Sequence, residues 1–141
     1  MNTEWNLQIF YTGLDDPKLA TDFASAQKCG EEIASYVKVA RNDSEKDRAE
    51  KLLLLLENFS EIVNQLGLYL SLRNSVDSEN GEVMAKQSKL MKIVSEFAEA
   101  TTAADRILGE LTDLDALSDE SEVIKANLFY LKETKKNLAH T

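Results

Sequence analysis

Histidine and cysteine are almost absent from this chain of 141 residues, and each scarcity excludes a class of site. The only histidine is His140, so the chain has neither a His-Glu-x-x-His zinc motif nor the two Glu-x-x-His motifs of a di-metal bundle. The only cysteine, Cys29, excludes an internal disulfide and a cysteine metal cluster, and a single thiol is typical of a reducing cytoplasm. We therefore expect no catalytic, cofactor-binding or metal-ligating residue in this chain.

Basic residues are also scarce. The chain has 16 Lys and Arg against 25 Asp and Glu, so its net charge is −9. Nucleic acids and anionic membrane surfaces both require a basic face, so neither is an expected partner. The first residues have no basic segment followed by a long apolar run, which argues against a signal peptide. We expect a cytoplasmic protein.

Long apolar segments with a helical period are what the chain has in abundance. Five leucines, Leu52 to Leu56, open a stretch from Lys51 to Arg73 whose later apolar residues recur at spacings of three and four. Polar residues such as Glu57 and Glu61 interrupt the stretch too early for a membrane span. Leucines around the whole circumference imply contacts on more than one side. This stretch is predicted to be the central helix of a bundle.

A first helix is predicted from Pro17 to about Arg41, with Asp16 as its N-cap. Its apolar positions alternate in steps of four and three, which is the pattern of a packed heptad seam. Cys29 lies beside this seam and is interpreted as a small buried or half-buried apolar residue. The seam consists of Leu19, Phe23, Ala26, Gly30, Ile33, Val37 and Ala40.

Two more helices are predicted after the central one, which Ser44 could cap and which continues to about Val76. The polar turn 77–81 leads into a third helix, 81–112, and a connector capped by Ser118 or Ser121 leads into a fourth, 122–138. The apolar face predicted for the third helix comprises Met84, Met91, Val94, Phe97, Ala98, Ala104, Ile107, Leu108 and Leu111.

The expected fold is an all-α antiparallel bundle of about four long helices, forming a single domain over residues 1–141. An extended aromatic N-terminal arm precedes it, because Trp5, Phe10 and Tyr11 are costly to leave in water and are expected to dock on the bundle. The carboxylate pairs Glu57/Glu61 and Glu96/Glu99 are interpreted as solvated helix faces.

The order of several short motifs resembles oligoendopeptidase F, of the thimet-oligopeptidase group of zinc metallopeptidases. Trp5-Asn6-Leu7 followed by Phe10-Tyr11 is similar to the Trp-Asp-Leu…Leu-Tyr opening of that family, with Asn6 in place of the usual Asp. Asp15-Asp16-Pro17 is similar to its acidic turn into a long first helix. The segment from Leu66 to Asp77 and the run Tyr130-Leu131…His140-Thr141 continue the resemblance.

The resemblance implies an N-terminal helical domain whose catalytic domain is absent from this sequence. In the family, this region forms one wall of a deep channel that admits oligopeptides and excludes folded proteins. The catalytic domain would hold the zinc, and a glutamate would activate a zinc-bound water against the peptide bond. The implied partners are that catalytic domain of the same polypeptide and an oligopeptide substrate. No family zinc ligand corresponds to a residue of this chain, which alone would not be an enzyme.

Two other functions remain open from the residues themselves. A leucine-rich acidic bundle could be a free-standing adaptor for partner helices, or it could self-associate as a structural bundle. Apolar surface on the central helix, or the small-residue face from Ala98 to Ala104, would favour a homodimer.

Overall fold

The computed structural model describes residue 13 and residues 16–76 and 81–139, and within these ranges all regular structure is helical. This confirms the all-α prediction. The aromatic arm, the polar turn at 77–80 and His140 lie outside the described residues. The described part contains seven α-helices and one short 3-10 helix, Ala40–Asn42. The α-helices are α1 Pro17–Tyr36, α2 Glu45–Val76, α3 Gly81–Glu96, α4 Ala98–Gly109, α5 Leu114–Glu120, α6 Glu122–Ala126 and α7 Leu128–Ala139.

Helix α1 begins where the capping signal places it. The carboxylate of Asp16 accepts a hydrogen bond from the Lys18 amide at 2.9 Å, and Pro17 is the first helical residue. The helix ends at Tyr36 rather than near Arg41, because the chain turns through 37–39 into the 3-10 helix. The predicted seam is confirmed by burial, apart from half-buried Val37: the other six seam residues are buried, and so is Cys29.

Helix α2 is capped by Ser44, as predicted, with the Ser44 hydroxyl accepting the Asp47 amide at 3.2 Å. The helix then continues unbroken to Val76. The five consecutive leucines of α2 differ in burial: Leu52 and Leu53 are buried, the next residue, Leu54, is 48% exposed, and the last two are half-buried. The leucine run is therefore covered on one side and only partly on the others.

The predicted third helix is divided in two at Phe97, which is buried and has φ −103° and ψ 8°. The apolar face predicted for its first half was wrong for the methionines, since Met84 and Met91 are exposed. The buried face of α3 is instead formed by Val83, Leu90 and Ile93. Met84 and Met91 are seven residues apart, and so are Val83 and Leu90. The apolar spacing alone therefore fits either set as the buried face, with the helix rotated by one residue.

The segment after α4 contains three short helices where a connector and one long helix were predicted. Asp113 caps α5 by accepting the Ala116 amide at 3.1 Å, and Ser121 caps α6 by accepting the Ile124 amide at 3.3 Å. Helix α7 is separated from α6 at Asn127, whose side-chain amide donates to the Val123 carbonyl at 2.8 Å. Of the two predicted caps, Ser121 is confirmed, whereas Ser118 lies within α5.

The chain divides into two compact units. Unit 1 is formed by the described residues of Met1–Gly30 and Phe59–Glu96, and its core includes Leu19, Phe23, Leu66, Tyr69, Leu70 and Val83. Unit 2 is formed by the described residues of Glu31–Asn58 and Phe97–Thr141, and its core includes Ile33, Leu52, Ile107, Leu108, Leu111, Ile124 and Leu131. In unit 2, α7 packs against α4 and α5, and α5 packs against α6. Among the described helices, none is long and apolar enough to cross a bilayer.

Candidate functional site

A polar network in unit 2 surrounds the start of α2. The carboxylate of Glu45 accepts two hydrogen bonds from Thr112, one from its amide and one from its hydroxyl, each at 3.0 Å. The same carboxylate lies 3.8 Å from the guanidinium of Arg48. That guanidinium also donates to the Asp43 carbonyl at 3.1 Å. The network thus fixes the segment after α4 against the first turn of α2.

Arg41 and Glu110 form a two-point ion pair in the same unit. The Nε and Nη2 atoms of Arg41 donate to the two carboxylate oxygens of Glu110 at 2.9 and 2.8 Å. The hydrogen bond from Arg41 lowers the pKa of Glu110, and Glu110 in turn raises the pKa of the guanidinium. Both side chains are more than one-third exposed, so this pair orients surface segments and adds little stability.

Tyr36, the last residue of α1, also belongs to this polar network. Its hydroxyl donates to the Asp43 carboxylate at 2.6 Å, and the ammonium of Lys51 lies 4.5 Å from the centre of its ring. Burial, and then the bond to Asp43, raise the pKa of Tyr36 well above its usual range. The tyrosine therefore stays protonated and acts as a donor. Asp43 and Glu45 thus both accept hydrogen bonds from protein donors, and these bonds join the end of α1 and the segment after α4 to the chain around the start of α2.

An exposed aromatic surface lies on α7 in unit 2. We call it the α7 surface, and it consists of Phe129, Tyr130, Lys132 and Lys136. Phe129 is 79% exposed, and the spacing of three and four from Phe129 to Lys132 to Lys136 places these residues on one side of the helix. The ammonium of Lys132 lies 3.4 Å from the Asp115 carboxylate. The surface therefore combines an aromatic ring with cations on a chain of net negative charge.

The α7 surface is held in a defined position. The Tyr130 hydroxyl donates to Asp105 of α4, and burial together with that bond raises the pKa of Tyr130 to about 12. Lys135 donates to the carbonyl of Leu111 at 2.5 Å and to that of Gly109 at 3.4 Å, which places a cation at the C-terminal end of α4. On the inner side of α7, Leu131 is fully buried. Phe129 thus projects from a helix that is anchored to α4.

The sequence predicted no site residues, and it missed both the network and the α7 surface. No group of three or more His, Cys, Asp or Glu side chains suited to a metal occurs among the residues that the structure describes. Of the carboxylate pairs weighed earlier, Glu57, Glu61 and Glu99 are exposed, and Glu96 accepts a bond from Gln27 at 3.1 Å. The α7 surface has a sequence signal, because Phe129 lies off the apolar face that helical spacing predicts for the fourth helix, which comprises Ile124, Leu128, Leu131 and Leu138.

Comparisons with protein-family models, with curated proteins and with solved structures found no match. The resemblance to oligoendopeptidase F therefore stays a prediction.

Proposed function

We propose that this chain is a non-catalytic N-terminal domain of an oligoendopeptidase F-like zinc metalloendopeptidase. It would form part of the wall of the peptide channel, in a cytoplasmic enzyme whose catalytic domain holds the zinc. The finer architecture proposed with it is an antiparallel bundle of about four long helices, forming a single domain over residues 1–141, with the aromatic arm docked on it. The all-helical fold and the order of the matched motifs support this proposal.

The observation that carries the proposal is the exposed α7 surface of unit 2. Phe129 is the most exposed of the large apolar side chains recorded among the described residues, and it adjoins Tyr130-Leu131, which is part of the matched motif order. An aromatic ring beside lysines suits a surface that contacts peptide, because the ring packs on apolar side chains and the lysines attract carboxylates. Anchoring by Lys135 and Tyr130 gives this surface a fixed geometry, as a channel wall requires.

The coding sequence beyond the codon for Thr141 provides a direct test. We expect the reading frame to continue to a His-Glu-x-x-His motif and a further glutamate ligand, because zinc peptidase chemistry needs both. A stop codon directly after Thr141 would remove the proposal and favour a free-standing helical adaptor.

A protein-level test uses the α7 surface itself. In the full-length enzyme, Phe129→Ser should raise the KM for apolar oligopeptides with little change in kcat, since the side chain would contact substrate away from the reacting bond. Val39→Ser is the matched control, because Val39 is also exposed in unit 2 and is 50% accessible. Equal KM values for the two variants would contradict a wall role for this surface. The isolated chain should hydrolyse no oligopeptide and retain no stoichiometric zinc.

A further inference from the structure

The two methionines of α3, in unit 1, hold their thioether side chains in water. Met84 is 57% exposed and Met91 is 62% exposed. The third methionine, Met1, lies outside the described residues. Cys29 is only 8% exposed, so its thiol is shielded from reagents in the solvent. Among the residues that the structure describes, Met84 and Met91 therefore present the sulfur atoms most open to attack from solution.

Helix α3 packs through residues other than these methionines. Its buried face is formed by Val83, Leu90 and Ile93. A Cβ atom at Gly67 of α2 would lie 3.7 Å from a methyl group of Leu90, so α2 and α3 are in close contact at this point. A polar oxygen added to an exposed methionine would point into water and would disturb none of these packed side chains.

The spacing of the two methionines makes them independent of each other. They are seven residues apart and lie on the same side of α3. At 1.5 Å per residue, their Cα atoms are separated by about 10 Å along the helix axis. Ser88 lies between them and Ser95 follows, and both serines are exposed, so only short side chains occupy the rest of this face. A small reagent can therefore reach each sulfur separately.

We propose that Met84 and Met91 form a modification site at which a hydroperoxide reversibly oxidises this chain. A sulfur lone pair attacks the terminal oxygen of the peroxide, and the O–O bond breaks. The proton of that oxygen passes to the departing oxygen, which leaves as water or an alcohol, and the thioether becomes a sulfoxide. A methionine sulfoxide reductase reverses the change with a dithiol, which becomes a disulfide as the sulfoxide oxygen leaves as water. The inference rests on unit 1 and is independent of the peptidase proposal.

The test treats the full, folded chain with hydrogen peroxide and follows each methionine by peptide mass spectrometry. Met84 and Met91 should each gain one oxygen at a rate within about threefold of the rate in denaturant, because neither reaction requires the fold to open. Leu90→Met is the matched control, since it places a thioether of similar volume on the buried face, where Leu90 is 7% exposed. In the folded chain, the methionine introduced there should react at least about tenfold more slowly than Met91.

Further measurements test whether the fold tolerates the change and whether the change is reversible. The oxidised chain should keep its helical circular dichroism, and its Tm should fall by less than about 3 °C, as for other surface changes. The two reductases that act on the two sulfoxide epimers, supplied with dithiothreitol, should restore both methionines in the folded chain. Met84→Leu and Met91→Leu should each remove one oxygen uptake and leave the rate at the other methionine unchanged.

Several results would overturn the proposal. One is protection of Met84 or Met91 by more than about threefold in the folded chain relative to denaturant, and this comparison needs no variant. Equal rates at Met91 and at the methionine of Leu90→Met would show that exposure does not select the site. Unfolding on oxidation, or sulfoxides that the reductases leave unchanged, would each exclude a reversible modification of the folded chain.

Discussion

Removing the hydroxyl of Ser121 should destabilise unit 2 far more than its size suggests. Ser121 is only 5% exposed, and its hydroxyl makes two bonds. It donates to the Glu50 carboxylate of α2 at 2.5 Å, and it accepts the Ile124 amide at 3.3 Å as the N-cap of α6. Ser121→Ala therefore removes a helix cap and a charge-assisted bond in one step.

The expected loss can be worked out from these two contacts. An N-cap serine replaced by alanine costs about 1 kcal/mol. A hydrogen bond to a charged group contributes roughly 1.5–3 kcal/mol, and the lower end applies because Glu50 is half-buried and can regain water. We expect Ser121→Ala to lower the free energy of unfolding by about 2–3 kcal/mol.

Chemical denaturation followed by far-UV circular dichroism measures this loss, with Ser118→Ala as the matched control. The Ser118 hydroxyl donates to the Asp115 carbonyl within its own helix, so its removal should change stability by less than about 0.5 kcal/mol. Glu50→Gln and the double variant complete a cycle, in which the coupling energy should reach about 1 kcal/mol. Equal losses for the two serines, or strictly additive losses in the cycle, would refute the argument.

Three further predictions follow from other contacts. The folded-state pKa of Glu110 is lowered by Arg41, so the pair stabilises the fold above the unfolded pKa and this contribution is lost as the pH falls through the folded pKa. Glu110→Gln should therefore cost less than about 1 kcal/mol in denaturation at neutral pH and nothing in acid, and a pH-independent difference would contradict this. Cys29 is 8% exposed, so a thiol reagent should label it much faster in denaturant than in buffer, and equal rates would contradict its burial. Leu90→Ala should cost about 2–5 kcal/mol and Met91→Ala less than about 0.5 kcal/mol in thermal unfolding, and a loss for Met91→Ala as large as that for Leu90→Ala would contradict the observed face.

Helix starts could be predicted from the sequence because the information for them is local. Asp16 precedes a proline, and Ser44 precedes a run of charged residues, so the capping groups lie within a few residues of the amides they bind. Ser121 was predicted as one of two caps for the same reason. Long helices with such caps need no knowledge of their packing partners to be located.

Two helix interruptions had no local signal. Neither Phe97 nor Asn127 is a glycine or a proline, and phenylalanine and asparagine both occur inside helices. At Phe97 the break accompanies burial of a large ring, and at Asn127 it accompanies a side-chain bond to the Val123 carbonyl. Tertiary packing determines the helix break at Phe97. Apolar periodicity carries no information about that packing, so it predicted a continuous helix.

Contacts that join distant parts of unit 2 were also beyond sequence reasoning. Arg41 binds Glu110, and Ser121 binds Glu50, across separations of 69 and 71 residues. With 25 acidic residues in the chain, charge alone could not select these partners. The same limit explains why the buried face of α3 was predicted wrongly. The residues seven apart from Met84 and from Val83 are equally periodic, and only the position of α2 determines which set is buried. Met84 and Met91, assigned to the core from the sequence, are instead 57% and 62% exposed.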